Sequence, residues 1–320
     1  MYARMLAAAE AGDPAGMANV GLFLLHGRGV AIDERAGVAW LVSAASMGHV
    51  GAMHSAGLAY KLGKGVVASD REAIMLWDRA AKGGCSMSQN NLGMLLQADQ
   101  PTNPVAFKWI LRAASAGLSC AMFNCGKAYF DGKGVAADAR KAVKWYMRAA
   151  EAGEEGAISA QSALGVCYAL GRGVAQDAHE AVKWYKRAAS AGNMAAMVNL
   201  GVCFEEGNGV VADAASAVKL YARAAELGNP NAQFNLALCL DKGKGVAVDA
   251  RAALLWYGRA AEKAHASAMF SLGVIHANGA GTAVDYAAAR QWFSRAAAAG
   301  HADAPAALAK LEAATGGGGK

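Results

Sequence analysis

The chain has 320 residues, of which 55% are hydrophobic types and 18% charged, with a net charge of +6. That apolar fraction excludes disorder, and 39 glycines without a G-X-Y period exclude collagen. No apolar run reaches the roughly 18 residues that span a bilayer, so membrane insertion is not expected.

The first expected element is a short helix, Tyr2–Ala11, in a half-repeat over 2–12. Its apolar stretch is too short for a signal peptide, and Glu10 interrupts it. The string G-x-G-V then recurs, at Gly27–Val30, Gly63–Val66, Gly132–Val135, Gly171–Val174, Gly207–Val210 and Gly243–Val246. An imperfect copy stands at Gly279–Thr282. The steps are 36, 69, 39, 36, 36 and 36 residues, so the period is 36 and the long step hides a degenerate unit. The register implies a three-residue deletion near Gln97–Asn103 and a three-residue insertion near Glu154–Ser162.

Ala-Ala pairs recur in the same register, from Ala44-Ala45 to Ala296-Ala297. Four residues before each pair stands Trp40, Leu76, Trp109, Trp145, Trp184, Leu220, Trp256 or Trp292. Each unit reads as two helices. Apolar spacing places a first helix over about 195–206, for example. Gly207 and Gly209 end it, because glycine takes left-handed backbone angles freely. Asp213 caps the second helix, and Asp33, Ser69, Asp138, Asp177, Asp249 and Asp285 hold the same position. In the degenerate unit the cap passes to Thr102 or Asn103, ahead of Pro104.

Glycines such as Gly57, Gly126 and Gly201 let helices approach, and the Trp or Leu ladder is expected to fill the space beside them. One helix pair cannot bury its own apolar face, so the units must stack. The expectation is an all-α superhelical solenoid over 1–314, of about eight 36-residue helix-turn-helix repeats. Units start near 15, 51, 87, 120, 157, 195, 231 and 267; a closing helix covers 302–314 and a flexible Gly-rich tail 315–320.

The fifth unit carries Leu164-Gly-Val-Cys-Tyr168, Gly171-Arg-Gly-Val174 and Ala181-Val-Lys-Trp-Tyr-Lys-Arg-Ala-Ala189, closed by Gly192. These motifs resemble the Sel1-like repeat family, a relative of the tetratricopeptide repeat. Departures are local: the third unit lacks G-x-G, Ala237 replaces one Leu-Gly glycine and Ala264 one closing glycine. The resemblance implies a right-handed superhelix and a non-catalytic adaptor or scaffold that binds a protein or peptide. It implies no catalytic residue, cofactor or metal.

Two residues before the Leu-Gly glycine stand Asn19, Ser55, Asn91, Asn124, Ala163, Asn199, Asn235 and Ser271. An amide offers both donor and acceptor to a peptide unit. In related tetratricopeptide folds the equivalent asparagine faces the concave groove and bonds an extended peptide backbone. The seven polar members are therefore candidate peptide-binding residues, the alternative being that they bond a neighbouring helix and fix the stacking.

A second ladder, Arg79, Arg112, Arg148, Arg187, Arg223, Arg259 and Arg295, is expected to form a solvated face. Spacings such as Arg148–Glu151, Arg223–Glu226 and Arg259–Glu262 suggest local ion pairs rather than a basic stripe for an acidic partner. Cys167, Cys203 and Cys239 repeat at a core position. Some bacterial relatives bridge the two helices of a unit with paired cysteines; here the pairing partner is missing, which points to a reduced, cytoplasmic setting. His49, His265 and His301 occupy the family's loop position, and His54 is a possible groove residue. G-x-G-V follows a helix and lacks the P-loop lysine spacing, so it is no phosphate cradle. Ser216-Ala-Val-Lys219 matches S-x-x-K inside a repeat helix and is read as chance.

The leading function is thus protein–protein adaptation through first-helix side chains. The alternatives are an RNA-binding helical repeat, or a regulatory segment of a larger signalling or quality-control complex. Because the chain begins mid-repeat, it can belong to a longer parent protein.

Overall fold

The computed structural model of the protein describes residues 1–153 and 156–316. Glu154 and Glu155, within the expected insertion, and tail residues 317–320 lie outside them. Among the described residues there are 18 helices and no strand. The contacts group the chain into two units, Met1–Ala160 and Gln161–Lys320.

The first unit opens with α1 (Tyr2–Glu10) and continues with three helix pairs. These are α2 (Pro14–His26) with α3 (Glu34–Ser46), α4 (Val50–Leu62) with α5 (Asp70–Lys82), and α6 (Ser86–Asp99) with α7 (Pro104–Ser115). A fourth pair joins α8 (Ser119–Asp131) to α9 (Ala139–Glu151). Helix α10 (Ala157–Leu170) crosses the boundary between the units. The second unit continues with α11 (Ala178–Ser190), then pairs α12 (Met194–Glu206) with α13 (Ala214–Glu226) and α14 (Pro230–Lys242) with α15 (Ala250–Glu262). It ends with α16 (Ala266–Asn278), α17 (Tyr286–Ala298) and α18 (Ala304–Gly316).

The expected caps hold the second helices. Asp177 accepts from the Glu180 N–H at 3.0 Å, Asp213 from Ser216 at 3.0 Å and Asp249 from Ala252 at 2.9 Å. Of the two residues offered for α7, Asn103 takes the cap. Several first helices are capped too, by the residue after the unit-closing position, although Cys85 of α6 and Leu118 of α8 supply no side-chain cap. Asn193 and Asn229 accept through Oδ1, and His49 and His265 through ring Nδ1, at 2.8 to 3.2 Å. His49 and His265 therefore have a definite structural task, whereas His301 Nδ1 has no hydrogen-bond partner among the described residues and its ring stacks on Phe270.

Glycines at two repeat positions allow close approach, and the first of these also needs a left-handed backbone angle. Gly209 has φ +71°, and a Cβ there would collide with the Ala178 carbonyl of the preceding second helix. Gly65 and Gly245 stand in the same way against Glu34 and Ala214. A Cβ at Gly201 would meet the Tyr221 ring.

That last contact corrects one expectation. The side chain beside each Leu-Gly glycine is the residue after the Trp ladder: Leu41, Trp77, Ile110, Tyr146, Tyr185, Tyr221 and Phe293. Tyr257 is buried in the same ladder, in the unit where Ala237 replaces the glycine. Each residue turns the helix by about 100°, so a one-residue step moves the inward side chain far around the axis. These buried side chains, with the Ala-Ala pairs and with Met53, Met197 and Met269, make the core of the repeats.

At the far end, α18 begins at Ala304 and not at 302, because His301 and Asp303 carbonyls supply its opening bonds. It includes Thr315, whose hydroxyl bonds the Leu311 carbonyl at 2.8 Å.

The candidate peptide-binding face

Within each unit, first helices of successive pairs touch directly, α2 against α4 and α12 against α14. They present one face each, along which the candidate ladder runs. Asn19 is exposed; Ser55, Asn91, Asn124, Asn199, Asn235 and Ser271 are half-buried.

Their hydrogen bonds sort them. The Asn124 amide donates to Asn90 Oδ1 at 2.9 Å, and the Asn90 amide reaches Asn91 Oδ1 at 3.4 Å. Asn199 stands near the phenol of Tyr185, and Ser271 near that of Tyr257. Burial pushes the Tyr257 phenol up to about 12. Asn19 donates weakly to Met5 Sδ at 3.7 Å. Ser55 and Asn235 have no hydrogen-bond partner among the described residues. Asn124 thus ties one first helix to the next, and Asn199 and Ser271 face tyrosines of the preceding second helix, while Ser55, Asn235 and the Asn91 amide group are available.

An apolar row accompanies the ladder one helical turn on, because residues i and i+3 share a face. It holds Leu22, Leu58 and Met94 in the first unit, where Lys127 then interrupts it. In the second it holds Val166, Val202, Leu238 and Val274. Leu58 is 41% exposed, Met94 38% and the adjoining Met87 53%. Clustered exposed apolar side chains on one face are a mark of an interaction site. Leu58, Lys61, Trp77, Asn91, Met94 and Leu95 line a cavity of about 310 Å³ between α4 and α6. Its wall offers an amide beside an apolar floor, the chemistry that holds a peptide unit and its side chain together.

His54, the suggested groove residue, instead bridges first helices: its Nδ1 lies 2.9 Å from Ser88 Oγ. Burial holds its imidazole below the usual histidine range. Sequence reasoning missed this bridge and the Asn90–Asn124 bond, since neither Ser88 nor Asn90 repeats. Cys125, Cys167, Cys203 and Cys239 are buried, and burial pushes the Cys125 thiol up to about 12 and those of Cys167 and Cys239 to about 11. No group of three or more His, Cys, Asp or Glu among the described residues could hold a metal ion. No helix there is long and apolar enough to cross a membrane.

The arginine ladder departs from its expected pairing. None of the ion pairs among the described residues joins Arg148 to Glu151, Arg223 to Glu226 or Arg259 to Glu262. Instead Arg148, Arg187, Arg259 and Arg295 lie over the indoles of Trp145, Trp184, Trp256 and Trp292, at 4.4 to 4.8 Å from the ring centres. An indole at least half-buried and three residues away competes well with a fully hydrated carboxylate.

The Sel1 repeat family model matches eight segments: 14–49, 50–85, 86–118, 121–154, 158–193, 195–229, 230–265 and 266–301. Among solved structures, the chain is similar to a Sel1 repeat protein from Oxalobacter formigenes, at 30% identity and a TM-score of 0.74, over 96% of this chain and 90% of that one. It is also similar to c5321, a protective antigen of uropathogenic Escherichia coli with an SLR fold, at 29% identity and a TM-score of 0.76, over 98% of this chain and 67% of that one. Yeast Tom70 shares the fold alone, at 14% identity and a TM-score of 0.53, over 95% and 59% of the two chains. None of the curated proteins matches the sequence.

Proposed function

The chain belongs to the Sel1 repeat family, and on that premise we propose that it is a non-catalytic adaptor that holds an extended peptide, or an extended segment of a partner protein, along the face of its first helices. Sel1 repeat proteins generally mediate protein–protein interaction, and the repeat scaffold is generally non-catalytic. The observation that carries the reading is the pairing of available polar rungs with exposed apolar neighbours. Asn91 stands beside Leu58 and Met94, and Asn235 stands one turn from Leu238. A strand rises about 3.3 Å per residue and alternates its side chains. Its backbone can use the amides while every second side chain meets the apolar row.

A protein partner suits this face better than nucleic acid, because the rungs are neutral and phosphate binding depends on cations. The cysteines lack bridging partners, which supports a reducing compartment, the cytoplasm being favoured.

The test is a peptide array probed with wild-type protein and with the Asn91→Ala/Asn235→Ala variant, each checked for helicity. Peptides with a large apolar residue should be selected, and the variant should lose them while keeping its fold. Identical peptide profiles for the two proteins would remove the first-helix face from the function.

A further inference from the structure

The basic residues of the second helices concentrate where nothing neutralises them. On α7, Lys108 and Arg112 are four residues apart and share a face; on α9, Lys144 and Arg148 repeat the arrangement. Arg140 adds a fifth cation at the start of α9. All five are exposed, and none takes part in an ion pair among the described residues. Helix α7 contains no carboxylate, and α9 contains only Glu151. Corresponding cations on α5 and α11 are occupied, while Lys219 and Arg223 of α13 lack an ion pair among the described residues but share their helix with Glu226. Arg79 of α5 donates to the Ala45 carbonyl of α3 at 3.1 Å, and Lys183 of α11 pairs with Glu180 at 2.8 Å.

The two arginines are also held in place. Arg112 lies 5.8 Å from the Trp109 ring centre and Arg148 4.4 Å from that of Trp145. A guanidinium resting on an indole has lost part of its rotamer freedom before any ligand arrives, so less is lost on binding. Its N–H edge remains free for a carboxylate, which it can grip with two parallel bonds. The Arg79–Ala45 bond shows that second helices of neighbouring repeats lie side by side.

We propose that the exposed face of α7 and α9 is a second docking surface, separate from the first-helix face, for an acidic protein segment in extended form. Cβ atoms four residues apart on a helix are about 5–6 Å apart. Same-side residues of a strand recur at roughly 6.6 Å, twice the rise per residue. Alternate carboxylates of an extended peptide therefore match Lys108 and Arg112, or Lys144 and Arg148. Nucleic acid is the poorer occupant. Single strands are held by stacking bases on open aromatic faces, and here Arg112 and Arg148 already cover the indoles.

The test is fluorescence anisotropy with a labelled peptide that has glutamate at alternate positions, beside its glutamine counterpart. The probes are wild-type protein, Lys108→Gln/Lys144→Gln, Arg112→Gln/Arg148→Gln, and Asn91→Ala/Asn235→Ala. The lysine pair touches neither indole, so its loss leaves the stacked arginines alone. The glutamate peptide should bind and weaken with added salt, while the glutamine peptide should not bind. Each basic-pair variant should lower its affinity roughly tenfold, as expected for two exposed pairs. The asparagine variant should bind it as wild type does, which separates this surface from the first-helix face. Unchanged binding by a folded Lys108→Gln/Lys144→Gln protein would overturn the proposal, as would equal binding of the glutamine peptide. So would a single-stranded RNA of equal charge that displaces the peptide and depends on the same four cations.

Discussion

Gly201 and Tyr221 are matched in shape: a Cβ on the glycine would lie 2.5 Å from the tyrosine ring, which is fully buried. Helix α12 comes this close to α13 only because the glycine has no side chain. Gly201→Val is therefore expected to destabilise the protein by about 1–3 kcal/mol, the usual range for overpacking. Gly201→Ala should cost less, since Ala237 occupies the same repeat position. Chemical denaturation of the two variants beside wild type gives the order.

Among the described residues, Ala264 is the one non-glycine with positive φ, at +60°, where other units end on glycine. A left-handed angle costs an alanine roughly 1–2 kcal/mol, part of which glycine returns through its freer unfolded state. Ala264→Gly should raise stability by about 0.5–1 kcal/mol. A thermal midpoint at or below that of wild type would contradict this.

His265 caps α16 through Nδ1, which accepts the Ala268 N–H at 3.2 Å, and its ring stacks on Phe234 at 4.8 Å. Burial holds its imidazole below the usual 6.5. The neutral form is thus favoured in the folded protein. Its contribution to stability is complete above pH 6.5 and declines as pH falls from there through the lowered folded value. His265→Asn keeps a capping acceptor and removes the titration. Thermal midpoints measured from neutrality down to about pH 5 should fall less for the variant than for wild type.

The ladder asparagines should separate by role. Asn124→Ala breaks the 2.9 Å bond to Asn90 and is expected to cost about 1 kcal/mol of stability. Asn235→Ala breaks no side-chain hydrogen bond among the described residues, so its stability should stay within about 0.5 kcal/mol of wild type. Equal losses from the two substitutions would mean that Asn235 also serves the stacking.

Thiol labelling at neutral pH should modify Cys85, which is half-buried, before Cys125, Cys167, Cys203 or Cys239. The last four combine burial with raised thiol pKa values, so they should react only once the repeats unfold. Mass spectrometry of the labelled peptides orders them.

The repeat period, the helix pairs and the aspartate caps could all be read from the sequence, because each depends on local spacing. Residues 36 apart meet the same neighbours, so one unit explains the rest. What could not be read is which way a side chain turns. Trp184 and Tyr185 are adjacent and both aromatic, and only the packed helices show that Tyr185 faces Gly165. The arginines posed a similar choice between a glutamate three residues ahead and an indole three residues behind. Of the candidate face, the asparagine ladder was visible as a repeat. The bonds that divide it were not, because Asn90 and Ser88 are particular to one unit.

The second glycine of each G-x-G loop leads to a broader consequence. Gly209 lies on the backbone at the start of the preceding second helix, and Gly65 and Gly245 do the same in their own places. Every such seam has the same two surfaces on its two sides. A whole 36-residue cassette removed within a unit would bring one loop onto an equivalent helix start, with backbone meeting backbone as before. A cut of any other length would set a side chain against that carbonyl. The array can therefore lengthen or shorten by duplication in full periods, and the third repeat, which lacks G-x-G, is where it has tolerated a three-residue loss.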